Sequence, residues 1–316
     1  MQYYVHPHPT QYFTESPICQ ELLNEPKSFD YRGEDSYGSS YLCAYFIKDP
    51  ITIVAYRCMG SAKDHMIQID ISTPNFTANF PQNLQLPDTD DFSWPNFATS
   101  YTGKFFIMGG TMSAKTLIFD KEWTKGTDFH VIMSGACAVF MPLDDDNVYI
   151  FGGQNFVDFT LYSDVYQYSI SEEKYSHITN IPLAYGIKEL ACTSYSDMNG
   201  EAFAVIGGGC QSTYDCTFVS AIKNVWKYSV LKDQWIPLAD LPYPNAKMRF
   251  VFTNGYIYMF GGSDWTDECD HIFIRNVYKL NPEDKQQKWK NIGVLSEHWF
   301  YMRYLIVHPV THTLSL

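Results

Sequence analysis

Short apolar runs alternate with polar turns along most of the chain. The clearest run, Asn147–Gly153, reads Asn-Val-Tyr-Ile-Phe-Gly-Gly and has the length of one β-strand. A near copy lies at Tyr256–Gly262, and looser copies lie at Lys104–Gly110 and Ala202–Gly208. Runs of this length, rich in β-branched and aromatic residues and bounded by turn residues, predict strands. No stretch keeps a 3.6-residue apolar period between helix caps, so a nearly all-β chain is expected.

The runs recur with a nearly constant period. The second glycine of each pair falls at Gly110, Gly153, Gly208 and Gly262, in steps of 43, 55 and 54 residues. Trp235 and Trp289 repeat the 54-residue step. Such a period is typical of a repeated unit of about four short strands.

Each unit has the same order of parts. A first strand and a polar turn lead to the strand that ends in Gly-Gly, and a variable loop leads to a third strand, as in 163–168, 223–228 and 275–280. A fourth strand carries an aromatic residue, namely Tyr175, Trp235 or Trp289, and in the preceding unit Phe119 and Phe129 take the third-strand and fourth-strand aromatic positions. Residues without a Cβ let backbones approach closely, so the glycines are predicted to be structural. These glycines are Gly109, Gly110, Gly152, Gly153, Gly207, Gly208, Gly261 and Gly262.

Together these residues resemble the kelch repeat family. The resemblance implies a β-propeller, with four-stranded blades around a central channel. We expect residues 1–316 to form one such domain of about six blades. Five blades are predicted at approximately 40–87, 97–135, 136–183, 188–242 and 247–295, and residues 301–316 are predicted to share a sixth with residues 1–15, which would leave no open sheet edge. The alternative is that the chain is a fragment of a longer protein.

Composition narrows the functional classes. Apolar residues make up 46% of the chain and charged residues 18%, which suits a packed core. The net charge of −13 makes nucleic acid an unfavourable partner and favours a protein or peptide of basic character. No apolar run reaches the length of a membrane-spanning helix, and the first residues lack the pattern of a signal peptide, so a cytoplasmic location is expected.

The eight cysteines give two expectations. Four lie inside apolar strand-like runs and are interpreted as small buried hydrophobic residues: Cys43, Cys58, Cys137 and Cys192. Cys210 and Cys216 lie close enough in sequence to close a loop if the chain meets an oxidising compartment.

No strong catalytic motif is present, so no enzyme activity, cofactor or metal is expected. Two histidine pairs, His6 with His8 and His308 with His312, would meet if the termini share a blade, but they are interpreted as exposed terminal residues rather than a zinc site. The alternative function is a carbohydrate-active or copper-dependent enzyme with a site in the central channel. It is implied by resemblance, since some kelch-like propellers are such enzymes. The copper enzymes need a tyrosine–cysteine crosslink, and no spacing in this sequence singles one out.

The loops after the glycine pairs are the predicted functional surface. They span 154–163, 210–223 and 263–275, and they leave the same strand position of successive blades, so they gather on one face. Aromatic side chains ringed by carboxylates suit capture of a basic or amphipathic segment. The alternative is that the aromatic residues pack their own loops. The candidate binding residues are Phe156, Asp158, Tyr162, Tyr214, Asp215, Phe218, Asp264, Trp265 and Asp267.

The predicted function is therefore a non-catalytic scaffold or recognition module for a partner protein. The family resemblance also implies an adaptor role, in which a partner-binding domain precedes the propeller. About 40 residues precede the first predicted blade, too few for such a domain, so this role would require assembly through separate chains.

Overall fold

The structure is a computed structural model. It describes residues 42–49, 52–57, 66–70, 77–79, 86, 95–100, 102–111, 113–155, 157–211, 221–265 and 271–294. For residues 42–79, 264, 265 and 271–273 it describes the strands and their pairing but not the side chains.

Every regular element in the described part of the chain is a β-strand. Five four-stranded antiparallel sheets follow one another, each with its strands in chain order. The first sheet contains β1 (Leu42–Asp49), β2 (Thr52–Arg57), β3 (Met66–Asp70) and β4 (Thr77–Asn79). The second contains β5 (Asn96–Thr99), β6 (Phe105–Met108), β7 (Thr116–Asp120) and β8 (Glu122–Lys125).

The other three sheets have the same plan. The third contains β10 (Cys137–Phe140), β11 (Asn147–Phe151), β13 (Asp164–Ser169) and β14 (Lys174–Asn180). The fourth contains β15 (Ala191–Ser196), β16 (Ala202–Gly207), β17 (Val225–Ser229) and β18 (Gln234–Pro237). The fifth contains β19 (Arg249–Thr253), β20 (Tyr256–Phe260), β23 (Asn276–Leu280) and β24 (Lys290–Val294). Two small hairpin-like sheets pair β9 (Met133–Ser134) with β12 (Gln154–Asn155) and β21 (Ser263–Trp265) with β22 (His271–Phe273).

The sheets are arranged as a β-propeller, which confirms the predicted fold class. The first strands of consecutive sheets contact one another, from β1 through β5, β10 and β15 to β19. Ser194 on β15 donates a hydrogen bond of 2.7 Å from its hydroxyl to the carbonyl of Phe140 on β10. The first strands therefore surround the central axis, and the fourth strands lie at the periphery.

Each four-stranded sheet falls within one residue of a predicted blade range. The predicted sixth blade, in 301–316 and 1–15, lies outside the described residues, as do the four terminal histidines. The single closed domain over 1–316 therefore stays a prediction. Within the described residues no helix is long and apolar enough to cross a membrane.

The core lies between neighbouring blades because the second strands are apolar on both faces. Phe105–Met108 is buried along its whole length, and Val148–Phe151 is buried likewise. One side of β11 contributes Val148 and Ile150 to a cluster with Phe106 of the preceding blade, and the other side contributes Tyr149 and Phe151 to a cluster with the following blade. Each blade thus depends on both neighbours for its stability.

The glycine pairs have left-handed backbones. Gly152 and Gly153 have φ values of 63° and 109°. The Gly152 amide donates to Asp164 of its own blade. In the fourth blade the left-handed pair is Gly208 with Gly209, with φ values of 57° and 96°, whereas Gly207 belongs to strand β16. The predicted pair Gly207–Gly208 is therefore displaced by one residue. Three consecutive glycines, Gly207-Gly208-Gly209, allow either pair to be left-handed, and the hydrogen bonds of the folded blade determine which pair it is.

The aromatic residues of the third and fourth strands meet across the sheet. Tyr168 faces Tyr175 at 4.5 Å between ring centroids, and Tyr228 faces Trp235 at 4.8 Å. Trp289 lies just before its strand and donates its indole N–H to the carbonyl of Ala239 in the preceding blade.

One aromatic assignment in the second blade is wrong. Trp123 on β8, not Phe129, pairs with Phe119 on β7. Phe129 follows the strand and packs its ring edge-to-face on Tyr166 and Tyr175 of the next blade. Its neighbours are thus set by contact between blades.

Two cysteines interpreted as buried hydrophobic residues are wrongly assigned. Cys137 and Cys192 form a disulfide that joins the innermost strands of adjacent blades, with their Cα atoms 5.9 Å apart. Their 55-residue separation equals one repeat, so equivalent strands bring the two sulfur atoms together. Cys210 is buried, and its suggested partner Cys216 lies outside the described residues. The side chains of Cys43 and Cys58 also lie outside them.

Candidate functional site

Chain direction within each blade places all the long loops on one face. First strands start, and second strands end, at the same edge of each sheet, as the pairing of Cys137 with Phe151 shows. Loops from second to third strands and connections between blades lie at that edge. We call it the loop face. The opposite edge carries the turns from first to second and from third to fourth strands.

The loop of the third blade is held by its own hydrogen bonds. The Asn155 amide donates to the Thr160 carbonyl at 2.9 Å, and the Tyr162 amide donates to the Gly153 carbonyl at 2.9 Å. Gln154 is buried, and its side chain donates to the Phe159 carbonyl and accepts a 2.7 Å hydrogen bond from the Lys188 ammonium group. These bonds hold the described residues of the loop, 154–155 and 157–163, in place.

The tip of this loop displays an apolar and an acidic side chain. Val157 is 70% exposed, and Asp158 beside it is exposed. The Thr160 amide hydrogen-bonds the Asp158 carboxylate at 3.0 Å and holds the pKa of Asp158 below its usual value. Asp158, which the sequence predicted as a binding residue, thus presents a full negative charge at neutral pH.

Tyr162, another predicted binding residue, packs partly inside the fold. Its ring is half-buried against the core between the second and third blades. Burial raises the pKa of Tyr162, although a hydrogen bond with the Asn155 side chain opposes that shift. For this residue the alternative, packing within its own loop, is closer to what the structure shows.

Tyr185 is exposed on the same face and was missed from the sequence. It lies in the connection between the third and fourth blades and is 73% exposed. Its neighbour Gly186 packs against the backbone of Leu161, where an added Cβ would come within 2.2 Å. Gln211 of the next loop donates to the Tyr185 carbonyl at 3.2 Å. The sequence feature that could have identified Tyr185 is an aromatic residue directly before a glycine, outside the strand pattern.

The other two loops are described in part. Trp265 ends strand β21 and pairs with His271, so it stands at the end of a short hairpin on the loop face, and Asp264 beside it pairs with Ile272. The remaining predicted residues lie outside the described part of the chain: Phe156, Tyr214, Asp215, Phe218 and Asp267.

A second polar group lies where the central channel opens on the loop face. Gly135, Glu189 and Lys247 each stand two residues before a first strand, and all three have left-handed φ values, of 71°, 58° and 59°. The Glu189 amide donates to Gly135 at 2.7 Å, and the Lys247 amide donates to Glu189 at 2.9 Å. The Glu189 carboxylate lies 3.6 Å from the Lys247 ammonium group. Left-handed backbone at residues other than glycine is strained, and such strain is concentrated at functional sites.

Potential metal ligands are dispersed in the described part of the chain. In the described ranges no group of three His, Cys, Asp or Glu side chains is placed to hold a metal ion. Cys137 and Cys192 are bonded to each other, so neither is available for a crosslink to tyrosine. Neither of these two cysteines can therefore serve a copper centre built on such a crosslink.

Comparison with known proteins supports the fold alone. No protein-family model matches the chain, and no curated protein matches it. The solved structure of YjhT has a TM-score of 0.53 and 16% identity over 65% of this chain and 66% of its own. A fungal alcohol oxidase of the AA5 family, solved in complex with copper, has a TM-score of 0.50 and 12% identity over 78% of this chain and 63% of its own. The chain spans just under two thirds of the length of each.

Proposed function

We propose that this chain is a kelch-type recognition module that binds a protein segment on its loop face. The supporting observation is that Val157 and Tyr185, two well-exposed apolar side chains, both lie on this face. Their segments are joined, since the Ile187 amide donates to the Tyr162 carbonyl at 2.9 Å. An ordered pair of exposed apolar groups is a suitable anchor, because its burial by a partner costs little conformational entropy.

The negative charge around these two residues favours a partner segment that carries positive charge. Asp158 lies next to Val157 and is ionised at neutral pH, and the whole chain carries a net charge of −13. A partner segment with apolar residues flanked by lysine or arginine complements this surface. The function is a scaffold or recognition role without catalysis, and an adaptor role would follow if a second partner binds elsewhere.

Affinity capture tests this function. The intact chain is used as bait in a cell extract, and captured proteins are quantified by mass spectrometry. Val157→Ser combined with Tyr185→Ser should reduce capture of a specific partner by about tenfold or more, since two apolar contacts are lost. Trp265→Ala tests the third loop in the same way. Asp158→Asn should reduce capture most at low salt.

The control is Ile292→Ser in the middle of the outer strand β24, where Ile292 is 40% exposed. This change removes apolar surface from the side of a blade rather than from the loop face and should leave capture unchanged. Full capture by the double variant and by Trp265→Ala would overturn the proposal.

The second candidate is an enzyme with a site at the channel opening. It is favoured by the ion pair of Glu189 with Lys247 on strained backbone, since strain of this kind is concentrated at functional sites. Glu189→Gln keeps the shape and removes the charge. Loss of turnover on a panel of sugars and sugar acids, with capture unchanged, would favour the enzyme.

A further inference from the structure

The face opposite the loops presents three large apolar side chains to solvent. Leu143, Met198 and Leu231 are 99%, 88% and 81% exposed. They belong to turns of the third and fourth blades, at 141–146, 197–201 and 230–233. These three turns and the turn at 170–173 are named the turn surface.

Leu143 is displayed at a conformational cost. Its φ of 64° is left-handed, which is unfavourable for a leucine. The turn is held in place all the same, because the Asp144 carboxylate accepts hydrogen bonds from the amides of Asp146 and Asn147 at 3.0 and 3.1 Å. A fully exposed leucine buries almost no apolar surface within this chain, so its side chain is available for contact with a partner.

Further hydrogen bonds tie this turn to its neighbours. Asp146 accepts from the hydroxyls of Ser169 and Ser171, both at 2.9 Å, which joins the two turns of the third blade. Lys104 donates to the Asp145 carbonyl at 3.2 Å and so joins the turn to the second blade. The position of Leu143 is therefore fixed relative to both blades.

The fourth blade presents its two apolar residues in the same way. The Asp197 carboxylate accepts from the Asn199 amide at 2.8 Å, which forms the turn under Met198. Glu201 accepts from Lys232 at 2.6 Å and from the Ser229 hydroxyl at 2.6 Å, which links the turn that carries Leu231 to the turn that carries Met198.

Leu143 and Met198 lie on equivalent turns of adjacent blades. The hydrogen bond from Ser194 to Phe140 joins their first strands at the turn end. Leu143 follows Phe140 by three residues and Met198 follows Ser194 by four, so each lies within roughly 10–14 Å of this bond. Both turns are therefore within reach of one bound helical segment of about 18 residues, which is roughly 27 Å long.

The turn surface is strongly acidic. Its four turns contain eight carboxylates, at Asp144, Asp145, Asp146, Glu172, Glu173, Asp197, Glu201 and Asp233, and one ammonium group, at Lys232. Lys104 and Lys174 border it. An anionic membrane or a nucleic acid would be repelled by this field.

We propose that the turn surface is a second docking site, which takes a basic amphipathic segment of a partner protein. Leucine-like side chains of that segment contact Leu143, Met198 and Leu231, and its lysine or arginine residues face the ring of carboxylates. The site lies on the face opposite the loops, so one chain can hold two partners at once.

The probe is a fluorescent synthetic peptide of about 18 residues with leucine at positions i, i+3, i+4 and i+7 and lysine elsewhere. Its affinity is measured by anisotropy for the intact chain and for the double variant Leu143→Asn with Met198→Ser. Asparagine tolerates left-handed backbone better than leucine, so the variant should fold with an unchanged or higher melting temperature. Its affinity should fall about tenfold or more. The Glu172→Gln, Glu173→Gln variant should lose less and become less sensitive to salt.

Three controls decide among the outcomes. The affinities are compared in the Val157→Ser, Tyr185→Ser background, which removes the loop-face anchors, and Ile292→Ser on the outer strand β24, outside both faces, should leave the affinity unchanged. Equal binding of a leucine–glutamate peptide of the same pattern would overturn the charge argument. Binding to phosphatidylserine vesicles, an unaffected affinity in the Leu143→Asn, Met198→Ser variant, or no binding by the intact chain would each overturn the site.

Discussion

The amide of Gly153 donates a hydrogen bond of 2.7 Å to the carbonyl oxygen of Ile187, which stands at the start of the next blade. The same bond joins Gly110 to Met133 at 2.9 Å. The glycine pair therefore ends a strand within one blade and also attaches that blade to the next. A Cβ on the preceding glycine, Gly152, would lie 2.5 Å from that same carbonyl oxygen of Ile187.

Gly152→Ala should destabilise the protein far more than Gly200→Ala. Both glycines have left-handed φ values, of 63° and 82°, but nothing lies within 4 Å of a Cβ on Gly200. The backbone strain alone costs about 1–2 kcal/mol, and a clash with main chain adds about 1–3 kcal/mol. Urea unfolding of both variants gives the comparison. Equal losses would contradict the role of the Ile187 contact.

Removing the disulfide should lower the stability of the protein. Cys137→Ser with Cys192→Ser should cost about 2–4 kcal/mol, because the bond closes a long segment and joins two blades. Thermal unfolding with and without dithiothreitol measures the loss. The double variant is the control, since reductant should not change its melting temperature through this bond. Disulfides persist in oxidising compartments, which weighs against the cytoplasmic location expected from the sequence; that location stays a prediction.

Removing the carboxylate that pairs with Lys227 should lower the stability of the protein strongly. Its ammonium group is buried, lies 2.7 Å from the Glu283 carboxylate of the next blade and stands 4.5 Å from the centre of the Phe203 ring. Glu283→Ala leaves a buried charge unpaired and should cost about 3 kcal/mol. Lys227→Met leaves a half-exposed carboxylate that water can solvate, so it should cost less. Chemical unfolding of both variants ranks them, and the reverse order would contradict this account.

Stability should fall at both ends of the pH range. Burial opposes ionisation of Asp146, but hydrogen bonds from Ser171 and Ser169 outweigh it and lower the pKa of Asp146 below 3.8. A lowered pKa stabilises the fold above the unfolded value and loses that effect as pH falls through the folded value. Burial raises the pKa of Tyr149 from 10.0 to about 12, so its contribution is present below pH 10.0 and is lost as pH rises towards 12.

Calorimetry from pH 2 to pH 12 measures the loss of stability at low pH, the acid limb, and at high pH, the alkaline limb. Asp146→Asn should flatten the acid limb, and Tyr149→Phe should flatten the alkaline limb. An acid limb that Asp146→Asn leaves unchanged would contradict the assignment of that limb to this carboxyl group.

The sequence predicted the strands and turns better than it predicted which aromatic side chains of the loops are exposed. A polar turn was expected between the first and second strands of each unit, and Asn254-Gly255 joins β19 to β20 in this way. Asp158 was expected on the surface and is exposed, since a carboxylate in a loop is seldom buried. Tyr162 and Tyr185 could not be separated in this way. Each is an aromatic residue in a loop, and only the position of the neighbouring blade decides that the first is half-buried and the second exposed.

The sequence by itself determined the repeated four-strand unit, because alternation of apolar residues, turn chemistry and strand length act between residues close along the chain. Only the tertiary structure decided which residues of one unit contact which residues of the next. The bond of Cys137 to Cys192, the contact of Gly153 with Ile187 and the hydrogen bond of Ser194 to Phe140 each join one blade to the next. Such contacts depend on the register of packed sheets, and no local pattern encodes that register.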